Sequence, residues 1–438
     1  MARILMDPFN AALVVESPHR SLDGYLESAG LKVTRLDKVP DEATLIEAIQ
    51  STNAQVLFKR SRVPVTDAVI RACPSLHAVQ LCCIGTDSVD LAACAREGVL
   101  VFNDPISNGR SVVELAIGHL VALSRRLYET DVQMHANLWQ KSEAGRYEIL
   151  GKTLGIVGLG NIGRQVARAA EAMGMRIRFY DNRLVAQEVG AEMGWHQAGS
   201  LVDLFRTSDM VTVHTSAKDA WDRDNAGLLD PVLSQMGAEL PDGPRIFLNL
   251  ARGNLHSSEA LLEAVRGGAI RYAAVDVYPD EPAPGQKDWQ NPYADEPRIS
   301  CTPHIGASTL EAQPRIARRV ASTVERFSHT GALRDCVFEP RALLAPQELA
   351  PGQAVLSVVH SVSRGTKKAV DDAIYEAEVD NLGSMHRDFP NGVAYDLSVL
   401  DRPLGQSELE ALVTRAASLA HEPGAIRSIR QVVVRSLS

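Results

Sequence analysis

The chain begins as short apolar runs separated by amphipathic stretches. In residues 2–103, ARILMD, KVTRLD, AQVLFKR, HAVQLCC and VLVFN read as buried strands, with DEATLIEAIQ and TDAVIRAC as helices between them. That alternation predicts a parallel sheet, because a parallel neighbour is reached only through a crossover. SVVELAIGHLVALSRRL, residues 111–127, is apolar nearly all round and predicts a buried helix.

A second block of the same type follows. TLGIVG predicts a strand, NIGRQVARAAEAMG a helix and MRIRFYD a strand. DMVTVH, RIFLNL, YAAVDV and RISCTP continue the strand series. TLEAQPRIARRVASTVERFSHTG is a long helix with Pro314 early in it and Gly331 at its end. EPRALLAPQELAPG then reads as a linker. Beyond it the order changes to strand, helix, strand, strand, helix, strand, the ferredoxin-like βαββαβ plan.

The 438 residues suit two or three domains. Apolar residues make up 45% and charged residues 23%, enough for a large core. The net charge of −9 gives no general attraction to nucleic acid or an anionic membrane, so neither is expected as a partner. An anionic substrate would need a local basic pocket. The six cysteines show no metal-type spacing, so no metal is expected and they read as reduced thiols of a cytoplasmic protein. MARILMDPFN lacks the pattern of a signal peptide, and no stretch of about 18 apolar residues predicts a membrane helix.

GLGNIG, Gly158–Gly163, changes the picture from fold to chemistry. It follows a strand and opens a helix, the setting in which G-x-G-x-x-G binds a dinucleotide. Gly158 makes the turn, Gly160 lets a pyrophosphate approach the backbone, and Gly163 lets helix and strand pack closely. The N–H groups around Asn161 and Ile162 form the anion site. Asp181, at the end of MRIRFYD, suits the ribose hydroxyls and repels a 2′-phosphate, which predicts NAD rather than NADP; Arg183 leaves some room for both.

Three more strand ends carry polar groups. RIFLNL runs into Arg252, YAAVDV into Asp276 and Glu281, and RISCTP into His304. In a doubly wound sheet, ligands bind at the carboxyl ends of the strands, so these groups converge on one crevice. The set suits hydride transfer on a 2-hydroxy acid. Arg252 would fork onto the substrate carboxylate, His304 would exchange the hydroxyl proton, and Glu281 would orient the ring.

The motifs KRSRVPVT, LCCIGTDSVDLAA, VFNDPISNGRSVVELAIGHL, GLGNIG, NLARGN, VDVYPDEP and TPHIGAST together resemble the D-isomer-specific 2-hydroxyacid dehydrogenases over residues 55–310. The resemblance implies an NAD-binding Rossmann domain, 110–304, inserted in a flavodoxin-like substrate domain, 1–109 and 305–338. A linker, 339–352, and a C-terminal domain, 353–438, would follow. It implies Arg252, Glu281 and His304 as the catalytic set. It extends the cofactor contacts to Leu250, Ala251, Arg252, Asp276, His304, Gly306 and Ala307.

Among the family, the basic residues match members that oxidise 3-phosphoglycerate, the first step of L-serine synthesis. There Arg60, Ser61, Arg62, Asn108 and Lys141 would hold the phosphate and carboxylate of an anionic 2-hydroxy or 2-oxo acid, with Gly85, Thr86, Arg252 and His304. Departures from the pattern are Asp87, Ala251 and Thr215. Alternative readings are an enzyme for 2-hydroxyglutarate or glycerate, or an NAD-sensing, corepressor-like binding protein. The tail resembles an ACT domain, which implies serine as a candidate effector at His360 and Asn381. Val362 and Arg364 depart from that pattern. Edge strands in such a tail predict a homo-oligomer, dimer or tetramer.

Overall fold

A five-residue apolar run, AALVV, needs burial on both faces, and the structure gives it an interior place in a sheet. In this computed structural model, residues 2–217, 223–240, 242–282, 286–339, 343–346 and 348–435 are described. The first strands are β1 (Arg3–Leu5), β2 (Ala11–Val15), β3 (Lys32–Leu36), β4 (Val56–Lys59), β5 (Ala78–Leu81) and β6 (Leu100–Phe102). β3-β2-β4-β5-β6 form an all-parallel sheet, the flavodoxin-like order 2-1-3-4-5.

This corrects the strand series read from the sequence. ARILMD supplies β1, but β1 is not in that sheet, and its place is taken by AALVV, which the pattern had passed over. β1 pairs in parallel with the last strand of the chain, a partner more than 400 residues away.

The second series is β7 (Thr153–Val157), β8 (Arg176–Tyr180), β9 (His196–Gln197), β10 (Met210–Val213), β11 (Ile246–Asn249), β12 (Tyr272–Val275) and β13 (Ile299–Cys301). Its order is β13-β12-β11-β10-β7-β8-β9 and every neighbour is parallel. This is the Rossmann order with one strand added. The order reverses at β7, whose carboxyl end is the switch point where such sheets bind ligands. The predicted buried helix runs Gly109–Arg125 and stops where Arg126 takes a left-handed φ of 56°.

The tail strands are β14 (Ala354–Ser361), β15 (Asn381–Asp388), β16 (Val393–Leu400) and β17 (Ile426–Val433). β17-β14-β16-β15 are antiparallel neighbours, as the ferredoxin-like plan requires, and β1 adds a fifth strand beside β17. Of the linker, residues 340–342 and 347 lie outside those described.

The chain divides into two compact units, residues 1–107 with 313–438, and residues 108–312. Inside the first, the tail joins the first sheet's core. Val355, Val359, Tyr395 and Leu397 pack with Phe58, Phe102, Val320 and Val324. Arg430 is buried between the rings of Phe9 and Phe327 and donates to the carbonyls of Phe327 and Ser328. Arg3, on β1, donates to the carbonyls of Ile70, Cys73, Leu76 and Glu97. Buried guanidinium groups are tolerated because those carbonyls replace lost water.

Candidate active site

The carboxyl ends of β7, β8, β11, β12 and β13 carry the candidate groups of the second unit. β7 runs through Gly158 into the helix Asn161–Ala172. A Cβ on Gly163 would lie 2.1 Å from the Gly158 carbonyl oxygen, so only glycine lets this helix start so close to the strand. Over Gly160, only the Arg183 guanidinium comes within 4 Å of such a Cβ. An open backbone at a helix start, with a cation beside it, fits the pyrophosphate of a dinucleotide.

Asp181 follows β8 as expected, but its carboxylate is already engaged. It accepts from the Leu159 N–H at 2.8 Å, the Arg183 N–H at 2.9 Å and the Arg183 side chain at 2.6 and 3.0 Å. Burial opposes the charge, and the Arg183 bonds outweigh it, so the Asp181 carboxyl is held below its ordinary range.

Asn249, at the end of β11, shapes the next turn. Its amide donates to the Arg252 carbonyl at 2.9 Å and its oxygen accepts from the Ala251 N–H at 3.1 Å. A Cβ on Gly253 would lie 2.0 Å from the Tyr278 carbonyl oxygen, so this glycine allows the Arg252 turn to close onto the turn that carries Glu281.

Asp276 organises the turn that carries His304. Its oxygens accept from the Thr302 hydroxyl at 2.6 Å and from the N–H groups of Ile305 and Gly306 at 2.8 Å. His304 sits at φ 54°, a left-handed conformation that costs a non-glycine residue about 1–2 kcal/mol. Three bonds to a buried carboxylate, each worth about 1.5–3 kcal/mol net, offset that cost. Tyr278 adds a bond from its hydroxyl to the Thr302 carbonyl at 3.1 Å.

The result is a histidine–carboxylate pair. His304 Nδ1 lies 2.8 Å from Glu281 Oε2. About half of the His304 side chain is exposed, and Glu281 is 38% exposed, so the pair is open to solvent. The bond to Glu281 raises the His304 pKa against the opposing effect of burial. Burial pushes Glu281 up, but the bond and charge of His304 bring it below its ordinary value. In the neutral ring, Nδ1–H donates to Glu281 and Nε2 keeps a lone pair that can accept a proton. Arg252 adds positive charge that both groups feel.

The remaining candidates divide between the units. Arg60, Ser61, Arg62, Gly85 and Thr86 belong to the first; Asn108, Lys141, Arg252 and His304 belong to the second. Leu250, Ala251 and Ala307 lie in turns at the sheet's carboxyl edge, and Ile162 in the first turn of the helix Asn161–Ala172. Glu16, which sequence reasoning missed, accepts from the N–H groups of Arg60, Arg62 and Val63 and so shapes the basic loop. The only signal was an acidic residue closing an apolar run. Beneath that loop, buried Lys59 donates to the Ser88 hydroxyl at 2.6 Å and the Arg60 carbonyl at 2.8 Å.

In the tail, His360 is buried and both its ring nitrogens face acceptors. Asn381 is not beside it within the chain. His360 pairs with Ala394 and Asn381 with Leu400, opposite ends of β16.

Comparison with known proteins places this geometry. A family model described as D-isomer specific 2-hydroxyacid dehydrogenase, NAD binding domain, matches residues 117–306. The D-3-phosphoglycerate dehydrogenase of Dictyostelium discoideum is 34% identical over 84% of this chain and 86% of its own length. That of Haemophilus influenzae has the same identity and the same coverage of both chains. Among solved structures, a glyoxylate reductase from Paecilomyes thermophila superposes with a TM-score of 0.64, at 26% identity, over 75% of this chain and 98% of that one.

Proposed function

This chain belongs to the D-isomer-specific 2-hydroxyacid dehydrogenases, NAD-dependent oxidoreductases, and from that membership we propose that it oxidises 3-phosphoglycerate to 3-phosphohydroxypyruvate. The observation that carries the reading is the match to D-3-phosphoglycerate dehydrogenases along most of both chains. The Arg60-Ser61-Arg62 loop, shaped by Glu16, supplies the local positive charge that a trianionic substrate needs on a chain of net charge −9.

In the proposed reaction, Arg252 grips the substrate carboxylate and polarises the oxygen on C2. His304 Nε2 takes the hydroxyl proton, and Glu281 holds the ring and stabilises the imidazolium that forms. Bound NAD supplies the acceptor for the hydride leaving C2. In reduction, His304 returns the proton. Gly158–Gly163 would hold the pyrophosphate, and Asp181 with Arg183 would hold the adenosine ribose. Asp276 acts as the positioning residue of the His304 turn. The domain division proposed is an NAD-binding domain, 110–304, inserted in a substrate domain, 1–109 and 305–338, with the tail, 353–438, an ACT-like module.

We propose a homo-oligomer in the cytoplasm. Val132, Leu138 and Trp139 are exposed in the second unit, at 68%, 49% and 81%, and such apolar side chains suit a contact between chains. The six cysteines form no disulfide. Among the described residues, no helix is long and apolar enough to cross a membrane.

The test is NADH-dependent turnover of 3-phosphohydroxypyruvate against 2-oxoglutarate and hydroxypyruvate, with and without serine. The highest kcat/KM for the phosphorylated substrate is expected. Preference for 2-oxoglutarate or hydroxypyruvate would overturn the substrate, and no turnover of any 2-oxo acid would overturn the enzyme. Inhibition by serine would assign the tail to feedback.

A further inference from the structure

The hydride-transfer site makes no use of a second group of histidines, in the tail. His360 is on β14, His386 on β15 and Asp396 on β16, three neighbouring strands. His386 and Asp396 are paired directly across β15 and β16. His360 reaches the same carboxylate diagonally, because its own partner is Ala394.

His360 Nε2 lies 3.1 Å from Asp396 Oδ2, and His386 Nδ1 lies 2.6 Å from Asp396 Oδ1. One donor atom from each residue falls within 4.8 Å of the other two. The two rings stack, with centroids 5.8 Å apart.

The outward nitrogens are also placed. His360 Nδ1 lies 2.7 Å from the Ser361 carbonyl, and His386 Nε2 lies 3.0 Å from Asp388 Oδ1. Metal-ligating histidines have this support: the far N–H donates to a carbonyl or carboxylate, which fixes the tautomer and turns the near nitrogen's lone pair to the ion. The inner nitrogens here both face one carboxylate. A neutral ring that spends its one N–H on the outward acceptor turns a lone pair at that carboxylate, and a cation between them removes the repulsion.

From this geometry we infer that the tail binds one divalent transition-metal ion through His360 Nε2, His386 Nδ1 and the Asp396 carboxylate. Two imidazoles and one carboxylate select a borderline ion such as Zn²⁺, Co²⁺ or Ni²⁺ over Mg²⁺ or Ca²⁺, which take oxygen ligands. Three protein ligands leave a fourth position for water or a small anion.

His360 and Asp396 are buried and form the floor. His386 lies on the edge strand, exposed, and forms the entrance. The Lys367 ammonium is 3.9 Å from Asp396 Oδ2, and its charge is shared with Asp371 one helical turn on. The sequence predicted no metal because spacing rules read ligands close in the chain, whereas these come from three strands.

The experiment uses the full chain, stripped with a chelator and titrated with Co²⁺ by absorption spectroscopy and with Zn²⁺ by calorimetry. One equivalent per chain is expected, saturating in the micromolar range. The Co²⁺ spectrum should show nitrogen and oxygen ligation without a thiolate charge-transfer band, which separates this site from the six cysteines. His386→Ala, at an exposed position, should abolish saturation over the same range. Asp388→Asn, which removes charge from the support of His386, should weaken binding by about 10–100-fold. No saturable binding, a thiolate band, or binding unchanged by His386→Ala would each overturn the site.

Discussion

Two histidine–carboxylate groups in this chain look alike in a contact diagram and differ in what they can do. His304 spends one nitrogen on Glu281, at 2.8 Å, and half of its side chain is exposed. His360 has acceptors at both nitrogens and is almost fully buried. A proton carrier needs one nitrogen held and the other available to the reacting oxygen. A buried ring held on both sides has no proton route to a substrate, and its inner nitrogen is better suited to an ion. The number of ring nitrogens in use, rather than the presence of a carboxylate, separates the two proposed roles.

The comparison can be broken most sharply at His304. His304→Ala removes the proposed proton carrier and should lower kcat by about 10²–10⁴-fold. NADH affinity, read by fluorescence titration, should stay near wild type. A loss of less than tenfold in kcat would place the proton transfer elsewhere.

Asp276→Ala comes next. It deletes the three bonds that hold the left-handed His304 turn. Displacing a catalytic group by about 1 Å costs on the order of 10²-fold, so kcat should fall by roughly that factor. Asp276→Asn, which keeps one acceptor oxygen, should recover part of it. Equal loss in both variants would indicate that the charge rather than the turn matters.

The smallest effect is expected at Arg183. Arg183→Ala releases the Asp181 carboxylate from its ion pair. The ratio of NADPH to NADH dissociation constants should rise, because an uncovered carboxylate repels the 2′-phosphate more strongly. A fall in that ratio would show that Asp181 does not face the ribose.

Much of this is legible in the sequence. The strands of the second unit follow apolar runs that end in polar residues, so β7, β8 and β10–β13 were placed from pattern, and Arg252, Glu281 and His304 from the strand ends. The tail's six elements were read in order. The first sheet was not fully legible. A continuous apolar run such as AALVV has no alternation to mark it, and the three-residue β1 can be assigned to a sheet only by knowing its distant partner. The supports of the site were missed for a related reason. Glu16 acts through backbone N–H groups more than 40 residues away, and backbone donors leave no trace in side-chain identity.

In the proposed reaction Glu281 sets the proton affinity of His304. The sharpest check is the pH dependence of kcat/KM for oxidation, in wild type and Glu281→Gln. With His304 as the proposed base, the neutral ring would be the active form in oxidation, so activity should rise as pH passes upward through the His304 pKa. Glu281 raises that pKa, so its removal lowers it. A midpoint above 6.5, the ordinary histidine value, is expected in wild type, with a shift to lower pH in the variant. A midpoint that stays in place or moves to higher pH in Glu281→Gln would contradict it.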